Sequence, residues 1–382
     1  MTVLFWVLVG LIGYAYIGYP IAIWSLALLA GRRAAPDDAH EPAVSILIPA
    51  YNEERVLAAK LDNTLGLDYP SAKREIIVAS ESDDGTDGVA ARYADRGVRL
   101  LASAIRRGKV ANLRRAVPEA RHEILVFTDA NAMLRPDALR LLVRNFSDSR
   151  VGSVSGRLVY ANRAGAASAE GEGAYWGFEM MVKRASSALG SLPGANGSLF
   201  ALRKDLYRPI SDTRGDDFEL PIRVILQGRD PILEPRAVTV EEAAERFGDE
   251  YRRKVRIVHW MSASAMMLLS EAIARHRWLV AFQLLSHKLN RWAVPFWLIA
   301  LLPVSLALAP RGGAYLAAAG LQALVYALGL AGLAADRLGL RPPTLLSLPL
   351  YFIVVNAASM VGILSRLTGR RVTWHKRPDA AP

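Results

Sequence analysis

From Val3 to Ala30 the chain is almost unbroken apolar sequence with no charged residue, and Arg32 and Arg33 follow at once. A helix needs about 20 apolar residues to cross the hydrocarbon layer, and this run exceeds that. A cleavable leader would place its basic residues before a shorter apolar run and end on small residues. Here they come after it, so the sequence predicts a retained anchor over residues 1–31. Three more apolar stretches close the chain, about Trp292–Ala309, Ala314–Ala335 and Thr344–Leu364. Three in series at spanning length predict a C-terminal membrane bundle over residues 292–366 rather than helices of a soluble core.

Between anchor and bundle lies ordinary globular sequence, residues 42–250. Residues 251–291 are intermediate. Glu271, Arg275, His276, Arg277, His287, Lys288 and Arg291 interrupt their apolar runs, which suits amphipathic helices in the membrane interface better than a crossing. A basic tail follows, residues 367–382. The positive-inside rule puts Arg32 and Arg33, and with them the globular domain, on the cytosolic face of a multi-pass plasma (inner) membrane protein. Three later crossings would leave Arg366, Arg370, Arg371, Lys376 and Arg377 on the far side, against the same rule.

The net charge of +11 suits an anionic membrane surface, a phosphate-bearing substrate or nucleic acid. Its distribution argues against the last, because the basic residues gather beside apolar segments and no nucleic-acid-binding motif is present. The absence of cysteine rules out disulfides and thiolate metal sites.

Within the globular part, short β-branched runs alternate with helix-like stretches. Val44–Pro49, Glu75–Ala79, Val98–Leu101 and Ile124–Phe127 read as strands; helices are expected up to Leu65, up to Asp95, over Lys109–Val117 and over Pro136–Asn145. This alternation predicts an α/β domain with a mostly parallel, doubly covered sheet, in which ligands bind beyond the carboxyl ends of the strands.

Acidic turns fall at those ends. The first strand leads to Tyr51-Asn52-Glu53, the second to Glu81-Ser82-Asp83-Asp84, and the fourth to Asp129-Ala130-Asn131. Each alone reads as an ordinary turn. Three at one sheet edge crowd carboxylates that repel unless a cation offsets them. A divalent ion with a diphosphate would do so, since Mg²⁺ takes one or two carboxylates and completes its shell with phosphate oxygens and water. A fourth cluster, Asp216-Asp217, opens an expected helix over Leu220–Leu226, where either residue is an N-cap candidate and Asp217 also a general-base candidate. Gly194-Ala195-Asn196-Gly197-Ser198 forms a flexible loop before a strand-like Leu199–Leu202, and a basic run from Tyr251 to Trp260 precedes the interface segment.

In this order the motifs resemble the membrane-bound family 2 glycosyltransferases, which include cellulose, hyaluronan and poly-N-acetylglucosamine synthases and ceramide glucosyltransferase. The resemblance implies a Rossmann-like GT-A domain attached to transmembrane helices. It implies inverting transfer from a nucleotide-sugar, a UDP-sugar foremost, to a saccharide or lipid acceptor, with Mg²⁺ or Mn²⁺ as cofactor. Carried over by position, Tyr51, Asn52, Glu53, Glu81, Asp83 and Asp84 border the nucleotide. Asp129 and Asn131 stand where the family has the metal-binding Asp-x-Asp, with Asn for the second acid. Lys109, Arg253 and Arg256 are supplementary cations for the diphosphate. Asp217 matches the catalytic base, with Asp216 beside it, and Gly194, Asn196, Gly197, Ser198 and Trp260 stand on the acceptor side. The family's Gln-x-x-Arg-Trp motif reads Arg256-Ile257-Val258-His259-Trp260 here, which puts processive polymerisation in doubt. A single-sugar glycolipid synthase and an inactive membrane scaffold are the alternative expectations.

Overall fold

The computed structural model describes residues 1–32, 34–161, 169–242, 247–340 and 342–369. Arg33 and the tail residues Arg370, Arg371, Lys376 and Arg377 lie outside the described residues. In chain order the elements are α1 (Thr2–Gly13), α2 (Tyr19–Ala30), β1 (Val44–Ala50), α3 (Glu54–Leu65), β2 (Arg74–Ser80), α4 (Thr86–Ala91), β3 (Val98–Ala102), α5 (Lys109–Glu119), β4 (Ile124–Phe127), β5 (Met133–Leu134), α6 (Ala138–Val143) and β6 (Val151–Tyr160). They continue as α7 (Ala169–Ala188), β7 (Phe200–Arg203), α8 (Asp216–Leu226), β8 (Asp230–Glu241), α9 (Phe247–Ala274), α10 (Trp278–Gln283), α11 (Asn290–Leu308), α12 (Ala314–Arg337) and α13 (Thr344–Leu367).

Eight strands form one mixed, mostly parallel sheet in the order β3-β2-β1-β4-β7-β6-β8-β5. β2, β1 and β4 run parallel in register (Val44 opposite both Arg74 and Ile124), and β7 enters antiparallel between β4 and β6. The central strands are buried on both faces, so they read as continuous apolar runs. Ile46, Ile48, Ile76 and Val78 pack under Leu57 and Leu61 of α3 and Leu139 of α6. On the opposite face Leu47, Ile77 and Phe127 meet Leu113 and Val117 of α5 and Leu220 and Val224 of α8. Strand ends β1, β2 and β4 therefore open on one edge, as expected from the alternation.

The sequence did not announce β6 and β8. β6 carries Gly152 and Gly156 where a Cβ would strike Val224 at 2.6 Å and the Ala237 carbonyl at 2.8 Å. β8 contains Pro231 and Pro235, and the β6–β8 ladder shifts register twice. Close packing demanded glycine there, and glycine and proline mask a strand signal.

α1 and α2 join through a π turn at Tyr14–Gly18 into one apolar helix, Thr2–Ala30. At 1.5 Å per residue it is about 44 Å long, ample for the roughly 30 Å hydrocarbon core. By length and composition five helices can cross a membrane: Thr2–Ala30, Glu250–Ala274, Trp278–Arg311, Ala314–Arg337 and Thr344–Leu367. Exposed Val3, Leu28, Leu29, Leu321 and Leu330 give them lipid-compatible surfaces, marking a membrane protein. In the bundle, Gly332 lets α12 approach α13 so closely that a Cβ would lie 2.8 Å from the Leu346 carbonyl, the small-residue packing of membrane helices. Residues 251–274 form a continuous helix, and the boundary expected at residue 291 falls inside the run Trp278–Arg311. α9 packs along α8, with Val258, Ala265, Leu268 and Ala272 against Phe218, Ile222 and Ile225.

Candidate active site

The β1 turn is built around Asn52, whose φ of +56° is a left-handed conformation that Asn tolerates better than most residues. Asn52 Nδ2 donates to Asp83 Oδ1 at 2.6 Å, and the Asp83 N–H returns a bond to Asn52 Oδ1 at 3.1 Å, clasping the β1 and β2 turns. The Glu53 N–H donates to Thr86 Oγ1 at 2.8 Å. Asp84 Oδ1 accepts the Thr86 N–H at 2.9 Å, so this carboxylate organises the start of α4. The Arg106 guanidinium lies 3.9 Å above the Tyr51 ring, a cation–π stack that leaves a flat platform beside the clasp.

Glu81 connects this end of the cleft to the next. Nearly buried, it accepts the Arg107 and Gly108 N–H groups at 2.7 Å each, fixing the loop that delivers Lys109. Lys109 is the hub. Its Nζ lies 2.8 Å from Asp129 Oδ1, 3.4 Å from Asp216 Oδ2 and 3.3 Å from the Gly197 carbonyl. Burial works against its charge, yet Asp129, Asp216 and Asp217 outweigh that and hold the ammonium above its ordinary range.

α8 begins at Asp216 after Gly215, with no side-chain capping bond, so neither acid serves as the N-cap. Both carboxylates occupy the first turn, where the helix dipole favours negative charge. Asp216 is nearly buried and its Oδ2 accepts no hydrogen bond. Burial pushes the Asp217 carboxyl up to about 6, and neighbouring Asp216 adds to this while Lys109 opposes it. The glycine loop wraps this residue. The Ala195 N–H donates to the Asp217 carbonyl at 2.7 Å, and Cβ atoms on Gly197 and Gly215 would come within 3.0 and 3.2 Å of its carboxylate oxygens. Gly194 takes φ +144°; the Asn196 N–H is held by Ser155 Oγ at 2.8 Å, and Ser198 Oγ donates to Asn196 Oδ1 at 2.9 Å. Asn196 Nδ2 is buried without a partner.

Two carboxylates therefore pair with one ammonium, a third lies within its electrostatic influence, and Asp216 Oδ2 has only the ion pair and no hydrogen bond. That charge balance and an all-oxygen donor set fit a hard divalent cation. Among the described residues no three His, Cys, Asp or Glu side chains group as a full metal cage, so donor oxygens and water would have to complete the shell. Asp129 sits at the mouth of the cleft and Asn131 is exposed at the loop tip.

The basic run on α9 is placed differently from these. Arg253 is engaged by Glu250 at 2.7 Å and by the Tyr160 hydroxyl at 2.7 Å, and Arg256 is half-buried one turn beyond Arg252. His259 Nδ1 pairs with Ser365 Oγ of α13 at 2.8 Å, turned into the helical bundle, and Trp260 is half-buried next to it.

Sequence reasoning missed Lys60. Fully buried on α3, its ammonium donates to Thr128 Oγ1 at 2.8 Å and to the Ala132 carbonyl, bracketing the Asp129–Asn131 loop. Burial pulls its pKa down to about 7, with Asp129 opposing. α3 also carries Glu54, Arg55 and Asp62, so no local signal set Lys60 apart. Lys60→Met should raise the Mn²⁺ concentration for half-maximal turnover about tenfold, because the loop loses both tethers. It should also destabilise the fold by about 1–3 kcal/mol through the unpaired Ala132 carbonyl. Metal titration of turnover and thermal unfolding check the two effects.

Residues 45–210 match the model of the family described as "Glycosyl transferase family 2", a match that ends just before Asp216. The chain is 29% identical over 196 residues to a β-monoglucosyldiacylglycerol synthase of Trichormus variabilis, covering 48% of this chain and 42% of that protein. It is 22% identical over 234 residues to a poly-β-1,6-N-acetyl-D-glucosamine synthase of Staphylococcus epidermidis, 60% of this chain and 56% of that one. The chain thus spans about half the length of the curated relatives it matches. Among solved structures, the mannosyltransferase PcManGT from Pyrobaculum calidifontis, in complex with GDP-Man and Mn²⁺, superposes with a TM-score of 0.73 at 25% identity, covering 96% of this chain and all of that one. Sheet order and the likeness to PcManGT agree on a GT-A-like fold, and residues 45–210 carry a glycosyl transferase family 2 domain.

Proposed function

We propose that the chain performs an inverting transfer of one sugar from a nucleotide-sugar to an acceptor hydroxyl at the membrane surface. The observation that carries this reading is the convergence of Asp129, Lys109, Asp216 and Asp217, drawn from three separate elements, onto one cleft. The nucleotide would lie along Tyr51, Asn52, Glu81 and Asp83, with its diphosphate toward Lys109 and Asp129. A Mg²⁺ or Mn²⁺ ion held by Asp129, with Asn131 adjacent, would neutralise charge on the leaving diphosphate. Asp217, wrapped by Gly194–Ser198, takes the proton of the acceptor hydroxyl as that oxygen attacks the anomeric carbon. The Lys109 ammonium stays charged throughout and screens Asp216 from Asp217.

A UDP-sugar is the first donor class in this reading, while the similar mannosyltransferase structure holds GDP-Man. Nucleotide release across a panel of UDP- and GDP-sugars, with mass measurement of the product from lipid and saccharide acceptors, identifies the pair. EDTA should abolish turnover and Mn²⁺ or Mg²⁺ restore it; undiminished activity in EDTA would overturn the role given to Asp129. His259 is buried against α13, which favours single addition over a growing polymer threaded past Trp260. A product longer than one sugar would reverse that preference, and a protein releasing no nucleotide from any donor would instead be the inactive scaffold. The catalytic domain is assigned to the cytosolic face of the inner membrane on Arg32. α9 is assigned to the interface on the basic run that opens it, Arg252 to Arg256, and on its packing along α8.

A further inference from the structure

Basic groups gather from three elements that the catalytic cleft does not use: α7, the π turn at Leu284–Leu289 and the start of α11. On α7, Glu179 is taken up by Arg291 at 2.5 Å and by His287 Nε2 at 3.6 Å. These partners outweigh the effect of burial and hold the Glu179 carboxyl well below its ordinary range. One turn further along α7 stands Lys183, on the same helix face as Glu179. From the π turn at Leu284–Leu289, Lys288 extends its ammonium to 5.8 Å from the ring centre of Phe218, the residue next to Asp217. Lys183 and Lys288 lie within electrostatic reach of one another, and both of Asp217.

Both lysines are half-buried, and among the described residues neither has a carboxylate within 4.0 Å or a hydrogen-bond acceptor. Two like charges held together in a dehydrated place repel one another and disfavour folding unless an anion joins them. The local acid Glu179 is already committed, and Asp217 is neutralised each time it accepts a proton. Two ammonium groups without a carboxylate of their own therefore stand near Phe218, the residue next to Asp217. We propose that Lys183 and Lys288 bind a phosphate group on the acceptor, next to the hydroxyl that Asp217 deprotonates.

The inference rests on the transferase reading and narrows it: the acceptor is a phosphorylated alcohol. In the transfer, the acceptor oxygen forms its bond to the anomeric carbon as the bond to the nucleoside diphosphate breaks. The hydroxyl proton goes to Asp217, and the acceptor phosphate is unchanged. A lipid headgroup and a soluble phosphomonoester share this chemistry, and the experiment separates them.

Native mass spectrometry of the detergent-solubilised full chain, titrated with dioleoyl phosphatidic acid, dioleoylglycerol or glycerol 3-phosphate, measures the interaction directly. Phosphatidic acid should bind about tenfold or more tightly than dioleoylglycerol, and K183Q/K288Q should lose that preference. K183R/K288R, which keeps both charges, should retain it and shows that the site is folded. R311Q, at the α11–α12 link, should bind as the unmodified chain does and accounts for nonspecific headgroup attraction. Glycerol 3-phosphate bound as tightly as phosphatidic acid would identify a phosphate site open to soluble phosphomonoesters, and binding of phosphatidic acid alone a site for lipid-borne phosphate. Unchanged phosphatidic acid binding in K183Q/K288Q, or equal binding of dioleoylglycerol, overturns the proposal. Donor hydrolysis by the unmodified chain, followed in the same preparation, tests the transferase reading by itself: phosphate-selective binding without nucleotide release from any donor would sink that reading alone.

Discussion

Asp217→Asn should leave a folded protein whose turnover falls by about 10² to 10⁴, the usual effect of removing a positioned general base. The amide keeps the shape that Gly197 and Gly215 enclose, so packing survives while proton acceptance is lost. The pH dependence makes the assignment specific. Only the ionised carboxylate accepts a proton, so turnover should climb with pH through about 6 and level off above it, and Asp217→Asn should abolish that limb. Stability moves the other way. The folded value of about 6 lies above the ordinary 3.8, so folding favours the protonated form. The group's contribution is fully present below about 3.8 and is lost as pH rises through about 6. At pH 7 Asp217→Asn should therefore melt at a higher temperature than the unmodified chain, an inactive variant with the stronger fold. Near-normal turnover in Asp217→Asn would remove Asp217 from the mechanism.

Lys109→Met should produce the second large effect. One ammonium separates three carboxylates, and an apolar replacement leaves Asp129, Asp216 and Asp217 facing one another. Breaking a buried pair costs about 3–5 kcal/mol and an exposed one less than about 1. A third of the Lys109 side chain stays accessible, which puts the expected loss near 2 kcal/mol. On the proposed mechanism turnover should fall by about 10²-fold or more, because the diphosphate would lose its fixed cation. Added Mn²⁺ should recover stability in Lys109→Met more than in the unmodified chain, since a divalent ion can take over the missing charge. Thermal melts with and without Mn²⁺ measure this. A variant as stable as the parent would show that the three acids do not repel as the geometry requires.

Much of this was legible in the chain. Buried parallel strands must be apolar on both faces, so Val44–Pro49 and Ile124–Phe127 stood out, and the acids after them marked the open edge. The three closing helices fell where their apolar runs lay. What stayed hidden was governed by contacts remote in sequence. Gly152 and Gly156 are set by side chains and backbone more than 40 residues away, and they gave β6 no strand signature. Lys60 looked like a surface lysine because nothing local states that Thr128 and Ala132 will enclose it. The Arg253 guanidinium looked available for a phosphate until Tyr160 came within reach of it. Residues whose role depends on neighbouring sequence were readable; residues whose role depends on a distant partner were not.

Glu219, one turn after Asp216, is fully buried. It accepts from Arg223 Nε at 2.8 Å and from Ser264 Oγ of α9 at 2.8 Å, and Arg214 lies 3.4 Å away. α9 is in turn pressed onto α13, where a Cβ on Gly362 would sit 2.9 Å from the Val255 carbonyl. α8 is thus fastened, through one carboxylate and one glycine contact, to a helix long and apolar enough to cross a membrane. When the acyl layer thins or thickens, α13 must tilt or slide to match it, and α8 has no slack with which to stay behind. On the proposed mechanism, turnover should therefore change with bilayer thickness, which reconstitution into lipids of different acyl-chain length measures.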